Sequence, residues 1–209
     1  MATKWGVVSA GKISNDFVAA VKGMCGSEHE FIAVAARNSF SAKSFASKHC
    51  ISKAYGSYEE LANDQEIEVV YIGSVNSQHF PLAKLMLENG KHVLLEKPMT
   101  LNLKQTRALG EIARKNKLFL MEVPDVLYVA TKIETKDGVV DFPLPKPTAF
   151  FNYPDSTGLA YEAIEVRECI KHGHLESIIM PLKDSELLAE IMDSIRHQVG
   201  VLYPEENAM

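Results

Sequence analysis

The sequence lacks the features that membrane and nucleic-acid proteins need. Its 209 residues contain no apolar run approaching the 18 of a spanning helix. The N-terminus, MATKWGVVSAG, has no long apolar stretch followed by a cleavage site, so a secretory signal is not expected. No block of five or six Lys and Arg occurs, and the net charge is −5. We therefore expect no membrane and no nucleic acid among its partners.

Cysteine is scarce and odd in number. Cys25, Cys50 and Cys169 lie far apart, which fits reduced thiols and neither a disulfide framework nor a zinc site. We expect a cytoplasmic protein without a bound metal. What remains is an ordinary globular composition, with 46% apolar and 23% charged residues, enough for one domain and a fragment of another.

Short apolar runs alternate with helical patterns from residue 4 to residue 121. Runs such as EFIAVAA (30–36) and EVVYIGS (68–74) are nearly continuous, which is typical of strands buried on both faces of a parallel sheet. The alternation predicts an α/β fold with a doubly wound Rossmann sheet over residues 1–122. The predicted strands lie at 5–10, 30–36, 68–74, 91–98 and 118–122, the predicted helices at 13–24, 39–49 (opened by a serine cap), 77–90 (ended by Gly90) and 102–117, and a short strand and helix at 54–64.

The pattern changes after Glu122. Five of the nine prolines lie in residues 123–160, which predicts an irregular connector over 123–159. Two amphipathic helices are predicted at 160–173 and 183–200 within a last segment, 160–209. Asp184 or Ser185 is expected to cap the second helix, and Gly200 to end it. Such helices need an apolar surface to bury against.

The first predicted turn between strand and helix is SAGKIS, from Ser9 to Ser14. A dinucleotide fingerprint has Gly-x-Gly-x-x-Gly here, and this turn keeps only the middle glycine, Gly11. At that position the backbone approaches the pyrophosphate, and the N–H groups of the helix start, at Lys12 and Ile13, face the anion. A plain tight turn is the alternative. The predicted strand before the turn and the predicted helix after it favour the cofactor-binding interpretation.

The second predicted strand ends in VAARNSFSAK. NAD enzymes usually place Asp or Glu here for the ribose 2′-hydroxyl, whereas this chain has Arg37. A guanidinium pairs bidentately with a 2′-phosphate, which predicts NADP as the cofactor. A solvated surface arginine is the alternative.

Further polar residues follow the later strands. Ser74 to Asn76, in YIGSVNSQH, are expected across the crevice where the strand order reverses, and Asn76 and His79 are expected as polar groups at the mouth of the cofactor site. For His79 taken alone, a capping or surface histidine is the alternative. In LLEKPMT, Lys97 follows a buried strand and should emerge at the same edge, where an ammonium can lower the pKa of a neighbouring base and orient a substrate oxygen. A strand-end lysine that extends to solvent before a proline is the alternative, and spacing does not decide between them.

Five segments together resemble one family. WGVVSAGKIS, AVAARN, AYGSYEELA, VYIGSVNSQH and GKHVLLEKP are similar, in order and spacing, to the glucose–fructose oxidoreductase and inositol dehydrogenase family, and within it to the NADP-dependent dihydrodiol and D-xylose dehydrogenases. The resemblance implies that the lysine of Glu96–Lys97–Pro98 lies beside the nicotinamide and that Arg37 binds the 2′-phosphate. It implies oxidation of a small-molecule diol or aldose hydroxyl by hydride transfer to NADP.

The resemblance also has a gap. The family follows its Rossmann unit with a large sheet that carries an Asp-x-Gly-x-Tyr/His signature, whose Tyr or His is the acid/base residue. Residues 123–140 contain no such signature, and Tyr128, Tyr153 and Tyr161 lie in other contexts. A sheet of that kind is about 100 residues long, so we expect a truncated C-terminal region that lacks the acid/base residue and the sheet in which the family's homodimer contact is expected.

Three hypotheses follow for the function. The chain is an NADP-dependent dehydrogenase, or it binds NADP(H) with impaired catalysis, or it is a remnant without a function of its own.

Overall fold

The computed structural model describes residues 1–124, 132–136, 138–141 and 143–204. Short strands and helices alternate through these ranges. The strands are β1 (Thr3–Val8), β2 (His29–Ala35), β3 (Lys53–Tyr55), β4 (Val69–Ile72), β5 (His92–Leu95), β6 (Leu120–Glu122), β7 (Lys132–Thr135) and β8 (Gly138–Asp141). The α-helices are α1 (Lys12–Met24), α2 (Ser39–His49), α3 (Tyr58–Ala62), α4 (His79–Glu88), α5 (Leu103–Asn116), α6 (Leu159–Lys171) and α7 (Leu182–Val199), with 3₁₀ turns at Asn76–Gln78 and Ser156–Gly158.

Strands β1 to β6 form one sheet in the order β3-β2-β1-β4-β5-β6, and every neighbouring pair is parallel. This is the strand order of a doubly wound dinucleotide-binding sheet, and it reverses between β1 and β4. The predicted Rossmann architecture is confirmed.

Both faces of the sheet are covered by helices, which explains the nearly continuous apolar runs of its strands. The first face packs against α1, α2 and α6, and the second against α3, α4 and α5. An aromatic cluster holds α1 to the first face: the Phe17 ring stacks on Tyr71 at 3.9 Å between centroids, and Trp5 meets Phe17 edge-on at 5.4 Å. Trp5 is fully buried, and its indole N–H donates to His29 Nδ1.

The C-terminal ends of two helices were predicted correctly, whereas the capping residues at the N-terminal ends of two were not. Gly90 and Gly200 have φ of +77° and +71°, the left-handed backbone that glycine adopts after a helix. Helix α2 is capped by Asn38 instead of a serine, because the Asn38 carboxamide oxygen accepts from the Ser41 N–H at 2.9 Å.

Helix α7 is not capped by Asp184 or Ser185, both of which lie inside its first turn. It begins at Leu182, after Pro181, and the Leu182 N–H donates to a Glu176 carboxylate oxygen at 2.7 Å. The preceding loop therefore supplies the acceptor that the sequence pattern assigned to the helix itself.

The proline density predicted an irregular connector over residues 123–159. This prediction is wrong in part, because the connector contains a hairpin. β7 and β8 pair as an antiparallel hairpin, from Lys132 opposite Asp141 to Thr135 opposite Gly138. The Asp-Gly dipeptide at 137–138 is a common hairpin signal, and the prolines that flank it obscured the pattern.

The C-terminal helices find their apolar surface on the Rossmann unit. Ala160, Ala163 and Val166 of α6 are fully buried within the same core as α1, and α7 packs on α5. The edge strand β6 is also covered, because the Leu120 N–H donates to the Leu175 carbonyl at 3.1 Å. No helix in the described ranges is long and apolar enough to cross a membrane.

A buried carboxylate fastens the chain before α6 to helix α1. Asp16 is fully buried and accepts hydrogen bonds from the backbone N–H groups of Asn152 and Tyr153, from the Asn152 carboxamide and from the Ser156 hydroxyl, at 2.7–2.9 Å. Burial raises the pKa of Asp16, but these hydrogen bonds and one from Asn15 outweigh it and hold the pKa below its ordinary value.

Replacing Asp16 by Asn should loosen this attachment, because an amide nitrogen would face the N–H donors that the carboxylate now satisfies. We expect Asp16→Asn to lower the free energy of unfolding by about 1–3 kcal/mol at pH 7. The difference from wild type should shrink as pH falls through the depressed pKa of Asp16, below 3.8. Urea unfolding at pH 7 and at low pH measures the loss of stability and its decrease with pH. Asp155→Asn, the same change at an exposed residue, is the control. Equal stability at pH 7 would contradict the role of Asp16.

Candidate functional site

The carboxyl ends of four strands meet in one row. Backbone hydrogen bonds continue the sheet one residue beyond the strand ends: Ser9 N–H to Ala35 O (3.0 Å), Gly73 N–H to Val8 O (3.1 Å), Glu96 N–H to Ile72 O (3.1 Å) and Val123 N–H to Leu95 O (2.8 Å). The turns that follow β1, β4 and β5 therefore begin side by side. Because the strand order reverses between β1 and β4, this edge holds the crevice in which sheets of this kind bind ligands.

The turn after β1 leaves the start of α1 open. Ser9 has a φ of +80°, a left-handed conformation at the place of the fingerprint's first glycine. Gly11 precedes α1, no side chain caps the helix, and its first turn has no acidic residue. The first N–H groups of α1, at Lys12 and Ile13, have no acceptor within the helix, an arrangement that favours negative charge at a helix start.

A glycine on the neighbouring strand end replaces the third glycine of the fingerprint. Ser14 is fully buried in α1, and a Cβ added to Gly73 would lie 2.4 Å from the Ser14 hydroxyl and 2.9 Å from the Tyr71 ring. The helix can therefore approach the sheet closely because Gly73 has no side chain. This role was not predicted from the sequence, although Gly73 stands visibly at the end of the apolar run VVYI.

Arg37 borders a cavity beside the first turn. The cavity holds about 280 Å³, and no acidic side chain lines it; its lining residues are Ser9, Ala10, Gly11, Ala36, Arg37, Asn38, Ser41 and Tyr58. Arg37 is exposed. Burial raises the pKa of Tyr58, and the nearby positive charge of Arg37 opposes the rise, so the guanidinium lies close to this phenol. A cation and several hydrogen-bond donors thus share one space with the open start of α1.

The predicted residues after β4 take two different positions. Ser74 and Asn76 are partly exposed, whereas His79 is 1% exposed. The His79 ring nitrogens lie 2.9 Å from the Pro98 carbonyl and 3.1 Å from the Ser74 carbonyl, and the Asn76 carboxamide donates to Pro98 O at 2.7 Å. Burial lowers the pKa of His79. His79 therefore joins the loops after β4 and β5 from behind the edge, and its predicted position at the mouth of the site is wrong, because both ring nitrogens are turned to backbone carbonyls in the interior.

Lys97 stands on a turn that a buried glutamate fixes. Glu96 is buried and accepts from the Tyr71 hydroxyl at 2.6 Å, while its other oxygen accepts from the Lys97 N–H at 3.2 Å. The Lys97–Pro98 peptide bond is cis, and the Lys97 side chain is exposed. Burial and the Glu96 charge raise the pKa of Tyr71 well above its ordinary value, so Tyr71 stays a donor. Glu96 faces inward, and Lys97 faces outward.

The structure thus brings most of the predicted residues to one edge. The backbones or side chains that reach it belong to Ser9, Gly11, Lys12, Ile13, Arg37, Ser74, Asn76 and Lys97, while the side chains of His79 and Glu96 support it from within. Of the tyrosines considered, Tyr153 and Tyr161 are each 48% exposed on the tail, and Tyr128 lies outside the described residues. Over the described ranges, no three His, Cys, Asp or Glu side chains group closely enough to hold a metal ion.

Comparison with known proteins identifies the family. Residues 3–123 match the family model Gfo/Idh/MocA, described as an oxidoreductase family with an NAD-binding Rossmann fold. The chain belongs to this oxidoreductase family. The matched range contains the whole six-stranded sheet, and the resemblance predicted from the segments between residues 4 and 122 is confirmed.

Curated relatives in the Gfo/Idh/MocA family are named trans-1,2-dihydrobenzene-1,2-diol dehydrogenase. The protein from Xenopus laevis is 29% identical over 330 residues, covering 98% of this chain and 100% of that protein. The one from Sus scrofa is 30% identical over 333 residues and covers 99% of both. Because this chain has 209 residues, about 120 aligned positions of these relatives have no counterpart in it.

Solved structures resemble the Rossmann unit. An NAD binding oxidoreductase from Klebsiella pneumoniae has a TM-score of 0.56 at 27% identity, covering 59% of this chain and 34% of that one. KijD10, a 3-ketoreductase from Actinomadura kijaniata in complex with NADP and TDP-benzene, has a TM-score of 0.55 at 28% identity, covering 58% and 37%. The chain spans about a third of the length of these structures.

Glu162 is a further site feature that was not predicted from the sequence. It lies in the first turn of α6, the helix that packs on α1. Burial, followed by the negative charges of Glu96 and Glu165, raises the pKa of Glu162 to about 8. An acidic residue on an amphipathic helix is ordinarily solvated, so nothing in the sequence pattern distinguished it. The negative charge of Glu96, which fixes the Lys97 turn, is thus one of the causes of the raised pKa of Glu162.

Removing this carboxyl should stabilise the protein in alkaline solution. A raised pKa means that the folded state binds a proton more tightly than the unfolded chain, so stability falls as pH rises from 4.5 to about 8. We expect Glu162→Gln to be more stable than wild type by about 1–2 kcal/mol at pH 8, less than the full shift implies because the side chain is partly exposed. The two proteins should converge below pH 4.5. Thermal unfolding of both proteins across this pH range tests the prediction. A stability difference that does not change with pH would contradict it.

Proposed function

We propose that the edge between β1 and β4 binds NADP(H). The observation that carries this proposal is the uncapped start of α1, next to a cavity that Arg37 borders. The open N–H groups suit a pyrophosphate, and the Arg37 guanidinium suits a 2′-phosphate. The family model describes an NAD-binding fold, whereas KijD10 is in complex with NADP, so the preference for NADP in this chain rests on Arg37.

The reaction that we propose is oxidation of a hydroxyl group on a small diol or aldose. NADP held by the start of α1 and Arg37 would supply the acceptor for the hydride from the hydroxyl-bearing carbon, and the hydroxyl proton would pass to a base. Lys97 is the residue of this chain that would act on the substrate oxygen. Its ammonium, on a turn fixed by Glu96 and Tyr71, would orient the oxygen and favour loss of its proton. The diol is proposed from the names of the curated relatives, and the aldose, such as D-xylose, from the sequence resemblance.

A second candidate function is cofactor binding with impaired turnover. About 120 aligned positions of the diol dehydrogenases are absent from this chain. We propose that they include the substrate domain and its acid/base residue, and that the chain divides into a Rossmann unit (1–122), a connector (123–159) and two helices (160–209). Without that domain, the residues that would position the substrate at the distance that hydride transfer needs are missing. The exposure of Lys97 supports this candidate.

We also propose a cytosolic location. The support is the chemistry of the thiols: Cys25, Cys50 and Cys169 are all unpaired, and Cys50 is exposed.

Cofactor choice can be tested at Arg37. We expect Arg37→Asp to weaken NADPH binding by about 10- to 100-fold, because the carboxylate repels the 2′-phosphate, with little loss for NADH. Nicotinamide fluorescence titration measures both affinities. Lys43→Asp, the same charge change at an exposed position of α2 outside the cavity lining, is the control and should leave the preference unchanged. An equal loss for NADPH and NADH would refute the 2′-phosphate role.

Turnover decides between the two candidate functions. If the chain is a working dehydrogenase, it should reduce NADP with D-xylose or a trans-dihydrodiol, and Lys97→Ala should lower kcat by about 100-fold or more while NADPH still binds. Steady-state absorbance of the reduced nicotinamide measures this, with Lys104→Ala, a lysine at the start of α5, as control. Saturable NADPH binding without wild-type turnover would establish the second candidate. Absence of both would leave only a remnant without function.

A further inference from the structure

Helix α7 has an apolar face on each side. Its inner face buries Leu182, Ser185 and Ala189 against the body of the protein. Polar contacts fix this face to α5: the Leu103 N–H donates to the Asp193 carboxylate at 3.0 Å, and Arg107 pairs with Glu186 at 3.1 Å. The orientation of α7 about its own axis is therefore well determined.

The outer face of α7 is a stripe of large aliphatic side chains, which we call the α7 stripe. Its members are Leu187, Leu188, Ile191, Ile195 and Val199, and they are 41–66% exposed. At 3.6 residues per turn they extend along the helix for more than three turns, with Leu187, Ile191 and Ile195 on the side away from the buried Ala189 and with Leu188 and Val199 on its flank. Solvent-facing helix surfaces are normally polar, so a stripe of this length indicates a surface that is covered by a partner.

Further aliphatic side chains are exposed just before and just after α7. Ile178 and Ile179, just before α7, are 84% and 71% exposed, and Leu202, just after it, is 76% exposed. The stripe alone presents on the order of 450 Å² and, with these three residues, about 850 Å². A stable interface buries about 800 Å² on each partner. The stripe alone supplies about half of this area, and burial of all eight residues would supply it in full.

We propose that the α7 stripe binds the same stripe of a second copy of this chain, with the two helices antiparallel and crossing at Ile191. A twofold axis at Ile191 sets Leu187 against Ile195 of the partner subunit in both halves of the contact. Each stripe then covers the other, as the self-complementary interface of a twofold dimer requires. The C-terminal end of one helix, with Leu202, reaches the start of the other, where Ile178 and Ile179 are exposed.

The charges on α7 favour the antiparallel arrangement. In a parallel pair, Asp184 would face Asp184 of the partner subunit, and two like charges in an apolar contact repel each other. In the antiparallel pair, Asp184 faces Gln198 of the partner subunit, whose carboxamide can donate a hydrogen bond to it. The helix dipoles also oppose each other in this arrangement, so each negative end lies beside a positive one.

The dimer would leave the cofactor edge open. Helix α7 packs on α5, whereas the proposed anion site lies at the start of α1, on the opposite face of the sheet. Self-association and NADP(H) binding can therefore be measured separately, and failure of one says nothing about the other.

Light scattering with size-exclusion chromatography tests the proposal on the full chain. We expect a dimer at about 10–100 µM, and Ile191→Glu should weaken it by at least about 100-fold, because two carboxylates would meet at the axis. Val139→Glu is the control: it makes the same kind of change at a valine that is 55% exposed on β8 and should leave the dimer intact. Circular dichroism verifies that both variants are folded.

A complementary pair of variants tests the register. Leu187→Glu and Ile195→Lys should each be monomeric, and an equimolar mixture of the two should form a heterodimer, since the new glutamate and lysine would face each other across the axis. A wild-type monomer at about 100 µM, or a dimer that survives Ile191→Glu, would overturn the proposal. A mixture that stays monomeric would overturn the antiparallel pairing.

Discussion

The hydrogen-bonded row that extends β1, β4 and β5 one residue past their ends is the constraint on which the site depends. Because Ser9, Gly73 and Glu96 are held in adjacent rungs, the turns that follow them share one edge of the sheet. The parallel sheet can form this row only when helices cover both faces, so the apolar strand sequences and the position of the site have one physical origin. Loops that are far apart in the sequence then place an open helix end, a guanidinium and an ammonium along a single crevice.

Buried polar groups behind the edge hold these loops in place. Tyr71, stacked on Phe17, donates to Glu96, and Glu96 in turn fixes the backbone of Lys97. His79 connects the loops after β4 and β5. Asp16 fastens the C-terminal tail to the helix whose first turn faces the proposed pyrophosphate site. The tail is thereby part of the same scaffold as the site, although the family model covers only residues 3–123.

Periodicity and helix-end chemistry predicted the fold because they act locally. The span of α2 was predicted to the residue, and Gly90 and Gly200 end their helices as expected. The features that were missed depend on contacts between distant segments. Gly73 matters because Ser14 of α1 lies against it, α7 starts where Glu176 supplies an acceptor, and Glu162 becomes notable only beside Glu96. A single sequence carries no record of such pairs. The hairpin at β7 and β8 was missed for a different reason, since its local turn signal was outweighed by nearby prolines.

Binding of NADP(H) at the edge between β1 and β4 is the central claim, and hydrogen exchange tests it most directly. On addition of NADPH, we predict slower amide exchange in segments 9–13, 37–41, 74–76 and 96–97, with no change along α7. The open N–H groups at the start of α1 should show the largest protection, because they would bind the pyrophosphate. Unchanged exchange in these segments at saturating NADPH, or protection confined to other parts of the chain, would contradict it.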